Sequence, residues 1–318
     1  MYKFFIVIVI VIVIVILALG TLVTINSPAN KAFITNQGED TVSIINLDTF
    51  QVEKRIKVGK KPLGITILKN KSIALVGNVE SQDLSVIDLK KNVVIKTLAL
   101  KATPLGLTHN KDETEIYVTD WFNSQIFVIN SMNFEITKKI PVGKTPSGIA
   151  FNEKYSFIVI SNRDSNSVEI YTEKEMRLEK KIMVGKHPYG ISTEGDYIYT
   201  ANVYDDSITV INLTNWQTKE IKVGDHPYNV IKINDQLFVT NSLDDNISII
   251  DTKTFTEILK IPTGETPENL WVDKKNNRLV ISNWGSDSIS IINLHDMKNI
   301  KEVKSGLQSR AFGDFILN

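Results

Sequence analysis

From residue 31 onward the chain alternates short apolar runs with polar punctuation, and one phrase of that alternation returns seven times. Each copy has an apolar run ending in asparagine, once replaced by aspartate: Asn36, Asn78, Asp120, Asn162, Asn202, Asn241 and Asn283, at intervals of 42, 42, 42, 40, 39 and 42 residues. After each marker and a short polar stretch comes a β-branched segment, "VSIIN" from Val42, "LSVID" from Leu84, "IFVIN" from Ile126, "VEIYT" from Val168, "ITVIN" from Ile208, "ISIID" from Ile247 and "ISIIN" from Ile289. Every copy reads as four short strands. In the second, "PLGITIL" (62–68), "SIALVG" (72–77), "DLSVIDL" (83–89) and "VVIKTLAL" (93–100) are separated by Lys, Asn, Asp, Ser and Gly, as strands joined by tight turns are.

The third strand of each copy is apolar on both faces, which fits a sheet held between two neighbours. The fourth, as in "QVEKRIKV" (51–58), alternates apolar with charged residues and reads as an outer edge protected from edge-to-edge pairing. Four-stranded units at this period predict an all-β fold, a seven-bladed β-propeller of four-stranded antiparallel blades. The first copy opens on its second strand, "KAFITN" (31–36), and the chain finishes with a spare one, "RAFGDFIL" (310–317), so the C-terminal strand is expected to complete the first blade.

The joint between copies has the form V-G-x-x-P-x-G, clearest in "VGKHPYG" (184–190) and "VGDHPYN" (223–229). Its proline, at 62, 104, 146, 188, 227 and 267 with Ser309 in the last place, has no N–H for a ladder and fits where a strand is only beginning. Two local expectations follow: that the glycine supplies a positive φ, and that each marker asparagine bonds the backbone of the turn that follows it.

The pattern P-x-G-I…Y-V-T-N…S-x-V-S-V-I-D, carried by "IYVTD" (116–120), "IYTAN" (198–202), "FVTN" (238–241), "SVID" (85–88) and "PSGIAF" (146–151), resembles the YVTN-type, YncE-like propeller repeat family. The resemblance covers residues 31–318. It implies the propeller and leaves activity open, because relatives range from surface-layer and periplasmic binding proteins to propellers associated with quinone or haem enzymes.

Residues 1–25 are different material. Lys3 is followed by an unbroken apolar run from Phe4 to Leu19, and no further positive charge occurs before Lys31. That is a signal peptide or an N-terminal membrane anchor, with 26–30 as a short linker and 31–318 as the exported propeller. Localisation is therefore expected to be extracytoplasmic, periplasmic or cell-surface, either anchored or secreted. Charge balances at 36 basic against 36 acidic residues, which gives no specific nucleic-acid signal, and the absence of cysteine excludes disulfides and thiolate metal sites.

Candidate chemistry gathers where the repeats differ. His187 with Tyr189 and His226 with Tyr228 occupy the same joint in consecutive copies, Trp121 and Trp284 follow equivalent markers, and Phe122 and Tyr204 stand one place further on. These positions predict a ring of aromatic side chains around one mouth of the axial channel. There His187, Tyr189, His226, Tyr228, Trp121, Trp284 and Tyr204 would bind a ligand with a pH dependence near the histidine pKa of about 6.5. The acidic turns "NSLDDN", "VYDDS" and "NRDSN" lack the spacing of a calcium loop. No catalytic residue, cofactor or metal site is predicted. The expected function is a monomeric, non-catalytic binding or scaffolding propeller recognising a small ligand or a protein on one face. The alternative is a lactonase-type hydrolase or a haem- or quinone-associated redox accessory propeller.

Overall fold

Seven antiparallel sheets of four principal strands follow one another around an axis in the computed structural model, which describes residues 30–317. The signal or anchor segment expected at 1–25 lies outside the described residues. Blade 1 comprises 31–57 with the C-terminal segment; blades 2 to 7 comprise 62–99, 104–141, 146–183, 188–222, 227–262 and 267–304. Each of the last six begins its inner strand at the joint proline: Pro62–Leu68, Pro104–His109, Pro146–Asn152, Pro188–Glu194, Pro227–Ile233 and Pro267–Asp273. Third strands such as Thr41–Asn46 are buried along their length, and outer strands such as Gln51–Lys57 are mostly exposed, as the two kinds of alternation require.

Apolar side chains fill every cleft between neighbouring blades. The largest cluster spans the seam: Ile65 and Val76 of blade 2 and Val280 and Ile291 of blade 7 pack against Phe33 and Ile44 of blade 1, together with Phe315 and Ile316. The spare strand does close the ring, but in two pieces. Ile316–Leu317 pairs with Ala32 and Lys31, while Phe312–Gly313 leaves the blade to pair in parallel with Gly64 and Ile65 of blade 2. Gly313 sits at φ 133 with the Ile65 carbonyl against its α-carbon, a place no side chain could occupy.

Both local expectations about the joint are corrected. The positive φ belongs to the residue before the proline: Lys61, Thr145, His187, His226 and Thr266 lie between 52° and 54°. The glycine is needed for space instead, since a Cβ at Gly143 or Gly185 would stand 2.6 Å from the side chain of Asn162 or Asn202. The marker asparagine does not serve its turn either. In five copies its Nδ2 reaches across to the third strand and donates to two side-chain oxygens, Ser288 (3.0 Å) and Ser290 (2.9 Å) for Asn283, and Ser207 (3.1 Å) and Thr209 (2.9 Å) for Asn202; Asn162 is the exception. The residue before the marker ties blade to blade. Thr35, Thr119 and Thr240 donate to the carbonyl oxygens of Leu63, Ser147 and Glu268 on the following blade at 2.9, 3.0 and 2.9 Å. The T-N of the repeat is thus a pair of latches, one to the next blade and one within the sheet.

Candidate functional site

The joints and the loops after the second strands share one end of the propeller. Backbone N–H groups of Trp121, Val203, Ser242 and Trp284 donate to the carbonyl oxygens of Thr103, His187, His226 and Thr266 across that end. All seven residues expected at an aromatic mouth therefore stand together, and their rings form one connected network. Tyr189 touches Trp121 and Tyr228 at centroid distances of 5.8 and 4.3 Å, and Tyr204 lies between His187 (4.1 Å) and His226 (5.6 Å). Trp284 joins through Arg310, whose guanidinium lies 5.7 Å from the indole and donates to the Tyr228 hydroxyl at 3.3 Å. Arg163, 5.7 Å from Trp121 and 5.9 Å from Tyr204, holds the other side.

This network shuts the axis rather than surrounding an opening. Leu63, Leu105, Tyr189 and Phe312, from blades 2, 3 and 5 and the seam, meet as one buried cluster with Trp121 and Tyr228 packed against it. Burial raises the Tyr189 hydroxyl above its ordinary pKa and holds that of Tyr228 well above it. Beside the plug, Glu268 pairs with Arg310 at 3.1 Å with side chains only 7% and 16% exposed; burial outweighs the pull of the arginine and pushes the carboxyl up to about 7. His187 is held below the usual imidazole range by burial and by Arg163, against Asp164 and Asp205. Asp206, Asp225 and His226 bring one potential ligand atom each within 4.8 Å of the others, but these groups already serve one another. Asp225 faces His226 Nδ1 at 2.5 Å, and Asp206 accepts the His226 N–H at 3.1 Å.

The cavity on the axis opens at the other end. A space of about 260 Å³ lies beneath Phe312 and widens into a vestibule of about 940 Å³ between the loops that join first to second strands. One position of the repeat recurs around its wall. The fifth residue of each inner strand gives Thr66, Thr108, Ala150, Ser192, Ile231 and Trp271, and the seam gives Asp314. Small hydroxyl-bearing or methyl side chains thus line blades 2 to 5, facing an isoleucine, an indole and one carboxylate. Above this ring, Gly64, Gly106 and Gly148 each have a carbonyl of the following blade so close that a Cβ would clash, which draws the inner strands into a neck. Asn229 and Asn269 replace glycine on blades 6 and 7 and bond each other, and Asn269 also bonds the Ala311 carbonyl. The vestibule is lined by Lys69, Lys111, Lys154, Lys232 and Lys274 with Glu153 and Glu194.

Sequence reading missed this end. The signal was present, because counting five residues from each joint proline exposes Trp271 against Thr, Ala, Ser and Ile in the other copies. Asp314 was beyond such counting, since the seam strand is interrupted.

The profile of the family described as YNCE-like beta-propeller matches residues 6–173 and 227–311. The chain belongs to the YncE-like β-propeller family. A search of the curated proteins gave no match. Among solved structures, this YncE-like propeller is similar to a functionally unknown protein from Desulfotomaculum acetoxidans (TM-score 0.76, 14% identity, 90% of this chain and 100% of that one). It is also similar to Kuenenia stuttgartiensis hydrazine synthase (TM-score 0.73, 16% identity, 82% and 91%). A third similar structure is the dihydro-haem d1 dehydrogenase NirN in complex with DHE (TM-score 0.69, 14% identity, 87% and 64%). At these identities the likeness is one of fold.

Proposed function

We propose that this YncE-like propeller is a non-catalytic, extracytoplasmic binding protein that takes a small ligand into its axial channel from the lysine-lined end. The observation that carries the reading is the channel's asymmetry, plugged by Tyr189 and Phe312 at one end and open at the other onto a ring built by seven different blades. Pockets of a few hundred Å³ with an apolar wall and a few convergent polar groups are the usual form of small-ligand sites. The extracytoplasmic assignment rests on the lysine-led apolar segment of residues 1–25. The activities in the titles of NirN and hydrazine synthase belong to those proteins.

The test is fluorescence of Trp271 during titration with small-molecule libraries, with Ser192→Phe as a channel-filling variant. A ligand whose saturable signal disappears in Ser192→Phe and persists in Phe122→Ala supports the channel. Binding that ignores Ser192→Phe overturns it.

A second reading, recognition of a partner at the aromatic end by the seven residues named from the sequence, is favoured by two observations. Phe122, Tyr204, Leu243 and Leu307 are 76%, 53%, 58% and 50% exposed there, and His187 Nδ1, Trp284 Nε1 and Arg310 Nε are buried without a hydrogen-bond partner. Under this reading, changing His187 and His226 together to Gln, or Trp284 to Ala, weakens binding while the melting temperature stays nearly constant.

A further inference from the structure

The sector of the vestibule between blades 7, 1 and 2 differs from the rest in its charge. Three mouth lysines are committed: Lys154 to Asp196 at 2.6 Å, Lys232 to Glu194 at 3.1 Å and Lys111 to Glu153 at 3.8 Å. Lys69 of blade 2 and Lys274 of blade 7 form no ion pair among the described residues, and they flank Asp314 of the seam. Trp271, two blades from Lys69 and on the same inner strand system as Lys274, provides the flat wall beside them.

We propose that the axial channel takes a planar carboxylate, its flat apolar body against Trp271 and its anionic end between the ammonium groups of Lys69 and Lys274. The inference rests on the channel reading above and names the ligand class for it. Two cations face a single carboxyl at the exposed rim of the vestibule, so the sector carries uncompensated positive charge with which an anionic ligand group can pair. Asp314 does not cancel both. Among the described residues its side chain accepts one hydrogen bond, from the Ile316 N–H at 3.3 Å, and burial raises its carboxyl above the ordinary range against Lys69, His109 and Lys274. In its protonated form it donates to a carboxylate oxygen instead of repelling it. Ile231 and Phe151 extend the apolar wall, and Thr66, Thr108 and Ser192 line the same cavity. A cationic ligand would meet Lys69 and Lys274 with Asp314 alone opposing them in this sector, since Glu153 and Glu194 are paired with Lys111 and Lys232. An aliphatic chain would forgo the indole face, against which planar groups stack.

The experiment compares three probes of one shape by calorimetry on the full chain: 2-naphthoate, 2-naphthylmethanol and 2-naphthylmethylamine. Expected is at least ten-fold tighter binding of the naphthoate than of either isostere. Lys69→Met and Lys274→Met each weaken naphthoate five- to ten-fold without changing the alcohol, and Trp271→Ala weakens both. Asp314→Asn retains or strengthens naphthoate binding. Trp271→Phe, which preserves the packing of the inner strand, gives a smaller loss of the same sign and separates recognition from folding. If the amine binds most tightly and Asp314→Asn abolishes it, the carboxylate inference is overturned and the channel reading survives. Three equal affinities, all lost in Ser192→Phe, have the same meaning. If none of the three binds, or if binding is indifferent to Ser192→Phe and Trp271→Ala, both fall.

Discussion

Closure of the ring without a covalent bond places a large share of the molecule's cooperativity on a few side chains near the C-terminus, and Phe315→Ala tests it with the backbone left intact. Phe315 is fully buried in the cluster that joins blades 7, 1 and 2, and its carbonyl accepts the Phe33 N–H at 2.9 Å. Truncating a buried phenylalanine costs about 3–5 kcal/mol, because the transfer free energy is lost and a cavity remains between blades too rigidly packed to collapse. With about 290 ordered residues at roughly 2.1 cal/mol/K each, the unfolding entropy is ~0.6 kcal/mol/K, so the melting temperature should fall by about 5–8 °C. Differential scanning calorimetry measures the shift, with Phe122→Ala as the control. That ring is 76% exposed, and its removal should stay within about 0.5 kcal/mol. A single transition shifted by the stated amount fits a seam that melts with the whole ring. A shift below 1 °C, equal shifts for the two variants, or a separate early transition for blade 1 would refute the closure argument.

The latches give a paired test. Asn283→Ala removes two hydrogen bonds to buried serine hydroxyls, at about 1–3 kcal/mol, whereas the Asn162 amide has no partner among the described residues and Asn162→Ala should cost less than half as much in urea unfolding. Thr240→Val removes the bond to the Glu268 carbonyl across the cleft between blades 6 and 7 and should cost about 1 kcal/mol by the same assay. Glu268 makes stability depend on pH. Its folded pKa of about 7 lies above the unfolded value near 4.5, so the stabilisation is complete below about 4.5 and lost as pH rises through 7. The loss, at most roughly 3 kcal/mol, should appear in melting curves between pH 5 and 8 and flatten in Glu268→Gln; a wild-type slope of the opposite sign would remove the explanation.

The fold was legible because a propeller repeats one solution seven times, and each copy corroborates the others. The third strands, the joint prolines and the closing segment could all be placed from spacing alone. What spacing could not convey was which atom fills which gap. In the sequence a glycine beside a proline looks like a turn residue. Only the position of the Asn162 side chain shows that Gly143 is there to make room. Likewise the aromatic residues could be gathered onto one end, because their copies share an index, but whether they surround an opening depends on Leu63, Leu105 and Phe312 meeting across the axis, and these look unremarkable in one dimension. Arg310 and Asp314 were illegible for a different reason. They lie in the one inner strand broken by an excursion to blade 2, so no repeat supplies their register.

The divergence of the repeats follows the same geometry. Residues that pack between blades must satisfy two neighbours at once and remain Ile, Val or Leu in nearly every copy. Inner-strand positions nearest the axis are not held to one side-chain type and differ between copies. The second residue of each inner strand varies through Leu63, Leu105, Ser147, Tyr189, Tyr228 and Glu268, and the fifth through Thr66, Thr108, Ala150, Ser192, Ile231 and Trp271. The bulk at the second position is what closes one end, and the small residues at the fifth on four successive blades are what leaves space below it. A ring in which all seven copies had kept the same residue at both positions would be symmetric and equally open or shut along its length. The asymmetry that makes a one-ended channel therefore comes from the inner-strand positions that differ between copies, and Trp271, Lys274 and Asp314 line the vestibule together where the last of those strands meets the seam.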